Sequence, residues 1–152
     1  PGFRGGDRTS IELPQIQRNM LKMLHDAGKK VVFVNCSGSA MALVPETTTC
    51  DAIVQAWYGG EAGGEALADV LYGDCNPTGR LPITFYRSTD QLPDYESYEM
   101  KGRTYRYMTE SPLWYFGYGL SYTTVRYGAP TYKNNVVSVS LTNTGKRQTA
   151  SN

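Results

Sequence analysis

The chain has 152 residues, 15 Lys and Arg against 14 Asp and Glu, a formal net charge of +1, and 40% hydrophobic and 19% charged residues, a globular balance with material for one core. The basic residues are scattered, so no footprint for nucleic acid or an anionic membrane surface exists and neither is expected as a partner. No apolar run approaches the ~20 residues that span a bilayer, no basic-then-apolar leader opens the chain, and the start at Pro1 reads as that of a processed or excised piece.

After a glycine-punctuated opening, PGFRGGDRTS, the residues Leu13, Ile16, Met20, Leu24 and Ala27 recur at helical spacing. Pro14 suits the first helical position and Gly28 the stop, which predicts an amphipathic helix. VVFVN (31–35) is a short apolar run rich in β-branched residues that ends in the small-residue stretch CSGS, the pattern of a buried parallel strand. AIVQAWY (52–58) reads the same way. A helix is expected from about Gly64 to Tyr72, with Leu67, Val70 and Leu71 inward and Gly73 as its cap, and RLPITFY (80–86) as a third strand. Helix, strand, strand, helix, strand with short loops predicts an α/β fold: an open, mostly parallel sheet flanked by helices.

From Arg87 to Tyr127 the chain is rich in Tyr, Gly, Ser and Pro, which predicts a long wrapping segment with short strands around TYRYM and LSYTTVRY. Residues Val137 to Leu141 alternate and then break at Asn143-Thr144-Gly145, a strand plus a hairpin-type turn. So small a pair cannot stand alone, so it reads as the opening of a truncated β-sandwich. Residues after about Val136 are therefore expected to be poorly ordered or paired with a second copy of the chain.

Cys36, Cys50 and Cys75 are odd in number and lack the close spacings of zinc or redox sites, so no metal is expected. They read as buried or loop thiols, with a Cys36–Cys50 or Cys50–Cys75 disulfide left open. Gly59, Gly60, Gly63 and Gly64 would allow close backbone approach between strand end and helix, but no G-x-G-x-x-G or Walker lysine accompanies them, so no nucleotide cofactor is expected. Glu61 and Glu65 flank the second glycine pair at the mouth of a helix, where the dipole and free N–H groups favour a charged carboxylate over a proton donor. Trp57, at a strand end, reads as core, although strand ends are where open α/β sheets place ligands. His25 has no evident partner and reads as exposed.

GGDRTSIELPQIQ, WYGGEAGGEALADVLYGDCNPTGRLPITFY and YFGYGLSYT, in that order, resemble the C-terminal α/β domain of glycoside hydrolase family 3, nearest to its β-xylosidases and β-glucosidases. VSVSLTNTGK resembles the start of the fibronectin type III-like domain that often follows. The resemblance implies an α/β domain over residues 1–127, of which 87–127 wrap around it, and an incomplete fibronectin type III-like segment over 128–152. It implies a retaining glycosidase that releases β-linked sugars from non-reducing ends with two carboxyl groups about 5 Å apart. In the family the nucleophilic aspartate belongs to an N-terminal barrel domain and the acid/base glutamate lies a little upstream of the GGDR motif. No catalytic residue is therefore expected in this chain, and the chain alone is expected to be inactive.

By the same resemblance the chain forms one wall of the active-site cleft, with the barrel domain and a β-linked oligosaccharide as partners, no cofactor, and a periplasmic or secreted location. Glu61 and Glu65 then join Trp57, Gly59, Gly60 and Gly64 as a structural motif. Arg4, Asp7 and Arg8 either form an ion pair or loop clasp beside the sheet, or brace the acid/base loop and edge the sugar cleft. Tyr95, Tyr98, Tyr105, Tyr107, Trp114, Tyr115, Phe116 and Tyr118 crowd one region. They read as packing for the wrapping segment; the alternative is a sugar-stacking surface, which would make the chain a non-catalytic carbohydrate-binding or interaction module.

Overall fold

The computed structural model describes residues 8–148. In chain order the elements are α1 Gln15–Asp26, β1 Val32–Asn35, α2 Glu46–Thr49, β2 Ala52–Gln55, α3 Gly63–Tyr72, α4 Thr104–Tyr107, β3 Val125–Tyr127, β4 Thr131–Lys133, β5 Val136–Ser138 and β6 Leu141–Asn143, with a 3₁₀ turn at Thr89–Gln91. They fall into two compact units. One comprises the chain to Gly60 together with Leu81–Tyr118; the other comprises Glu61–Arg80 and the chain from Gly119.

In the first unit α1 spans the segment that the apolar period predicts, but Ile16, Met20 and Leu24 of that period are exposed, and the residue the helix buries is Leu21, which the period does not include. Pro14 stands one place outside the helix, in an extended conformation, and its carbonyl accepts from Gln17 and Arg18 N–H at 2.9 and 3.2 Å. Gly28, at φ 69°, ends it. β1 and β2 pair in parallel from Val32↔Ala52 to Asn35↔Gln55. The single turn α2 between them has no counterpart in the sequence reading, because four residues, Glu-Thr-Thr-Thr, are too few to carry a period. Leu13, Leu21, Val31, Met41 and Leu43 form the core, joined by Phe33, Cys50, Ile53, Leu113 and Trp114. Phe85 is wholly buried, with its ring centroid 5.6 Å from that of Trp114 and 6.1 Å from that of Trp57.

The expected third strand at 80–86 does not form. Pro82 has no N–H to enter a ladder, and the segment is instead tied to the wrapping chain. Leu81 N–H donates to the Tyr118 carbonyl at 2.8 Å, Phe85 N–H to that of Trp114 at 2.9 Å, and Leu113 N–H to that of Phe85 at 2.8 Å. The sheet of this unit is thus a parallel pair among the described residues. The expected strand at TYRYM is the helical turn α4. Arg103 does not pair with the carboxylates of Glu96 or Glu99: its guanidinium donates to the backbone carbonyls of Glu99, Asp94 and Ser97. Aromatic packing accounts for part of the tyrosine-rich region, with Tyr105 stacked on Phe116 at 5.3 Å and Trp114 on Tyr118 at 5.9 Å. Tyr95 and Tyr98 stay exposed.

In the second unit α3 ends at Gly73, whose φ of 86° and N–H donation to the Asp69 carbonyl at 3.0 Å make it the expected cap. No residue of α3 is fully buried, and Leu71, expected inward, is exposed. The expected strand from Val137 to Leu141 is divided between β5 and β6. β4 and β5 form a hairpin turned by Asn134 and Asn135, both left-handed at φ 53° and 59°, as a two-residue hairpin loop requires. β6 pairs with β3 from Val125↔Asn143 to Tyr127↔Leu141.

For the tail as far as Gln148 the expectation of poor order or intermolecular pairing therefore gives way to pairing within the chain, because the helix end supplies acceptors for it; residues 149–152 lie outside the described residues. The Arg147 guanidinium donates to the Gly73 carbonyl and lies 5.7 Å from the Tyr122 ring centroid, and the Tyr122 hydroxyl donates to the Val70 carbonyl at 2.8 Å. Asn76 Nδ2 donates to the Gln148 carbonyl at 3.1 Å.

Candidate functional site

An open groove lies in the first unit where β1 and β2 end, the place at which open parallel sheets hold ligands. Its walls come from the leading segment Arg8–Pro14, the loop from Cys36 to Ser39, and Tyr58. At its base the last register pair of the sheet is a pair of amides, Asn35 and Gln55. Asn35 is 5% exposed, and its Nδ2 donates to Gln55 Oε1 at 2.6 Å and to Ser37 Oγ at 3.0 Å. Ser37 Oγ donates onward to the Ser39 carbonyl at 2.8 Å. A buried amide must spend its donors on partners, so this network holds the Cys36–Ser39 loop in one conformation.

The leading segment is anchored by a glutamate that the sequence reading passed over. Glu12 accepts from Thr89 twice, from the backbone N–H at 2.9 Å and from the hydroxyl at 2.7 Å, while Ile11 N–H donates to Thr89 Oγ1 at 3.1 Å. The Thr89 hydroxyl first, and its amide second, hold the Glu12 carboxyl below the usual carboxylate range. Glu12 is the carboxylate of the groove lining among the described residues, and its bonds to Thr89 favour the ionised form. No sequence period marks this contact, since the two residues are 77 positions apart.

Because the folded-state value is lowered, this contact stabilises the fold above the ordinary glutamate range, and the stability is lost as pH falls through the lowered value. Thr89→Val is expected to raise the Glu12 titration toward that of an ordinary glutamate, with the stability gap from the parent chain closing at acid pH. Carboxyl NMR titration checks it, and an unmoved Glu12 titration would refute it.

Of the residues singled out from the sequence, Arg4 and Asp7 lie outside the described residues. Arg8 lines the groove, with its guanidinium donating to Ser39 Oγ and lying against the Met41 sulfur. Trp57, expected in the core, is only half-buried, with its ring against Phe85, and adopts φ 56°, a left-handed conformation rare for so bulky a residue and a sign of stored backbone strain. Gly59 and Gly60 follow it in the first unit, and Glu61, Gly64 and Glu65 belong to the second. Glu61 and Glu65 are exposed, and neither side chain has a hydrogen-bond or ion-pair partner among the described residues.

The expected carboxylate-to-N–H cap is thus not formed, and Ala62 occupies the cap position without a side-chain bond. The expected close approach at the glycines is not seen at Gly60, Gly63 or Gly64, where an added methyl would meet nothing within 4 Å. Cys36, Cys50 and Cys75 are free thiols, and burial pushes the Cys50 thiol up. His25 is exposed, as expected. Among the described residues no three of His, Cys, Asp and Glu converge as metal ligands.

The glycosyl hydrolase family 3 C-terminal domain matches residues 3–122. A xylan 1,4-β-xylosidase of Xylanibacter ruminicola is 59% identical over 152 residues, covering 96% of this chain and 18% of the relative. A periplasmic β-glucosidase of Salmonella typhimurium is 45% identical, covering 94% of this chain and 21% of the relative. The solved β-glucosidase of Erythrobacter marinus superposes with a TM-score of 0.79 at 40% identity, covering 96% of this chain and 21% of that one. β-Glucosidase 3B of Thermotoga neapolitana superposes with a TM-score of 0.79 at 30% identity and covers 93% and 23%. The chain thus spans about a fifth of the length of the relatives it matches.

Proposed function

The chain belongs to glycosyl hydrolase family 3 as its C-terminal domain, and from that premise we propose that it forms one wall of the active-site cleft of a retaining β-glycosidase acting on β-linked xylose or glucose at non-reducing ends. The observation that carries this reading is the groove at the ends of β1 and β2: open, lined by polar and apolar groups alike and built on a fixed amide network, with Glu12 as its carboxylate among the described residues, bonded to Thr89. Such a surface can orient a sugar. Retaining hydrolysis needs a nucleophile and an acid/base across the bond, and in this reading both come from parts of the protein upstream of the chain, a barrel domain and a loop before the GGDR motif. Arg4, Asp7 and Arg8 brace that loop, and Arg8 also edges the cleft.

The names of the relatives support the substrate class, and that of the Salmonella relative supports a periplasmic or external location. The test is hydrolysis of p-nitrophenyl β-xyloside and β-glucoside by the full-length protein, with the first-formed anomer followed by NMR. Release of the β-anomer is expected; the α-anomer, or no hydrolysis of either substrate, would overturn the reading.

A further inference from the structure

The leading wall of the groove, Arg8–Pro14, has no helix and, beyond the single bridge pair Glu12↔Ala42, no strand ladder, so its place depends on bonds made to other parts of the chain. Ala42 N–H donates to the Ile11 carbonyl at 2.9 Å. Three further bonds converge on one residue, Thr89: its hydroxyl accepts from Ile11 N–H at 3.1 Å and donates to Glu12 Oε2 at 2.7 Å, and its N–H donates to Glu12 Oε1 at 2.9 Å. Thr89 is itself fixed, because it opens the 3₁₀ turn Thr89–Gln91, where Leu92 N–H donates to its carbonyl at 3.0 Å and Gln91 Oε1 accepts from Arg87 N–H at 2.8 Å.

The wall that this clasp holds carries Arg8. From it the Arg8 side chain reaches the opposite wall, where its guanidinium donates to Ser39 Oγ and lies against the Met41 sulfur. The Cys36–Ser39 loop is fixed in turn through Asn35 and Gln55, so the two walls and the arginine between them share one geometry. A guanidinium presents its N–H donors in a rigid plane. Where the leading wall stands therefore decides where those donors meet the hydroxyls of a sugar.

We propose that Thr89, which does not line the groove, is a positioning residue for the substrate: through Ile11 and Glu12 it fixes the leading wall, and with it the place at which the Arg8 guanidinium meets the sugar. This rests on the glycosidase reading above and adds to it a residue remote in sequence from the group it places.

The experiment measures kcat and KM of the full-length protein on p-nitrophenyl β-xyloside and β-glucoside. Thr89→Val, close to the parent in shape, removes the bonds of the hydroxyl and is expected to raise KM about tenfold at unchanged kcat, the order of one hydrogen bond from a charged group. Thr89→Ala, which sets no methyl against the Glu12 carboxylate, should behave alike, and Thr89→Ser should keep the parent KM. Arg8→Ala should raise KM by a similar factor, and Thr89→Val/Arg8→Ala no further than Arg8→Ala alone, since both act through one contact. A clasp that served folding alone would lower the folded fraction, and so the apparent kcat, while leaving KM where it was. That outcome, a Thr89→Ser variant as impaired as Thr89→Val, or additive effects in the double variant would overturn the proposal. If the parent protein cleaves neither substrate, the glycosidase reading fails instead, and the positioning is then read without a substrate from phenylglyoxal modification followed by peptide mass spectrometry. Faster reaction of Arg8 in Thr89→Val than in the parent and Thr89→Ser sustains it; equal rates overturn it.

Discussion

Replacing Arg18 with methionine is expected to destabilise the first unit by about 3–5 kcal/mol, a large share of the stability of an ordinary domain. Arg18, on α1, donates through Nε to Glu46 Oε1 at 3.1 Å and through Nη2 to the Ala42 carbonyl at 3.1 Å. Glu46 opens α2 and is 1% exposed, and its second carboxylate oxygen has no partner among the described residues. Removing the guanidinium alone leaves a buried charge without its counter-ion, the costly way to break such a pair, whereas replacing both members by apolar groups removes the desolvation problem with it. Arg18→Met/Glu46→Met should therefore recover most of what Arg18→Met loses. Urea unfolding followed by the fluorescence of Trp57 and Trp114, both in this unit, measures it. A loss below about 1 kcal/mol for Arg18→Met would show that the pair behaves as an exposed one.

The second large effect concerns activity. If both catalytic carboxylates lie outside this chain, the isolated chain should hydrolyse β-xylosides and β-glucosides no faster than buffer, however intact its groove. The carboxylates that stand closest to contradicting this are Glu61 and Glu65, because their position beside the glycines is the part of the sequence that most invites a catalytic reading. The structure gives them exposure and, among the described residues, no partner to orient either side chain. A general acid needs a fixed geometry toward the leaving group before its proton is of use, and nothing among the described residues gives one to Glu61, just before α3, or to Glu65, in its first turn.

The elements legible in the sequence are those with a period or a cap. The apolar period located α1, although the residue it buries is Leu21 rather than Ile16, Met20 or Leu24; β-branched runs marked β1 and β2, and Gly28 and Gly73 sit where their left-handed backbone ends a helix. What was not legible depends on partners far away in the chain. The segment at 80–86 has strand composition, but its hydrogen bonds go to Leu113–Tyr118, which no local pattern reveals. The tail looked unpaired because its acceptor, the C-terminal end of α3, lies 74 residues from Arg147.

The groove was legible only as a place, the strand ends. Trp57 was singled out as core, while Tyr58 beside it, which lines the groove, carried no signal, since an exposed tyrosine is ordinary in isolation. Glu12 would have been found only by asking which carboxylate near the strand ends has a hydroxyl partner.

The measurement that tests the central claim most directly is hydrolysis of p-nitrophenyl β-xyloside and β-glucoside by the chain alone, beside the full-length protein and its Glu61→Gln and Glu65→Gln variants. The account predicts turnover by the full-length protein, none above buffer by the chain, and losses in both variants well short of the roughly hundredfold or more that removing a general acid costs. Turnover by the chain alone, or a loss of that size in either variant, would place catalytic carboxylates in this domain and contradict it.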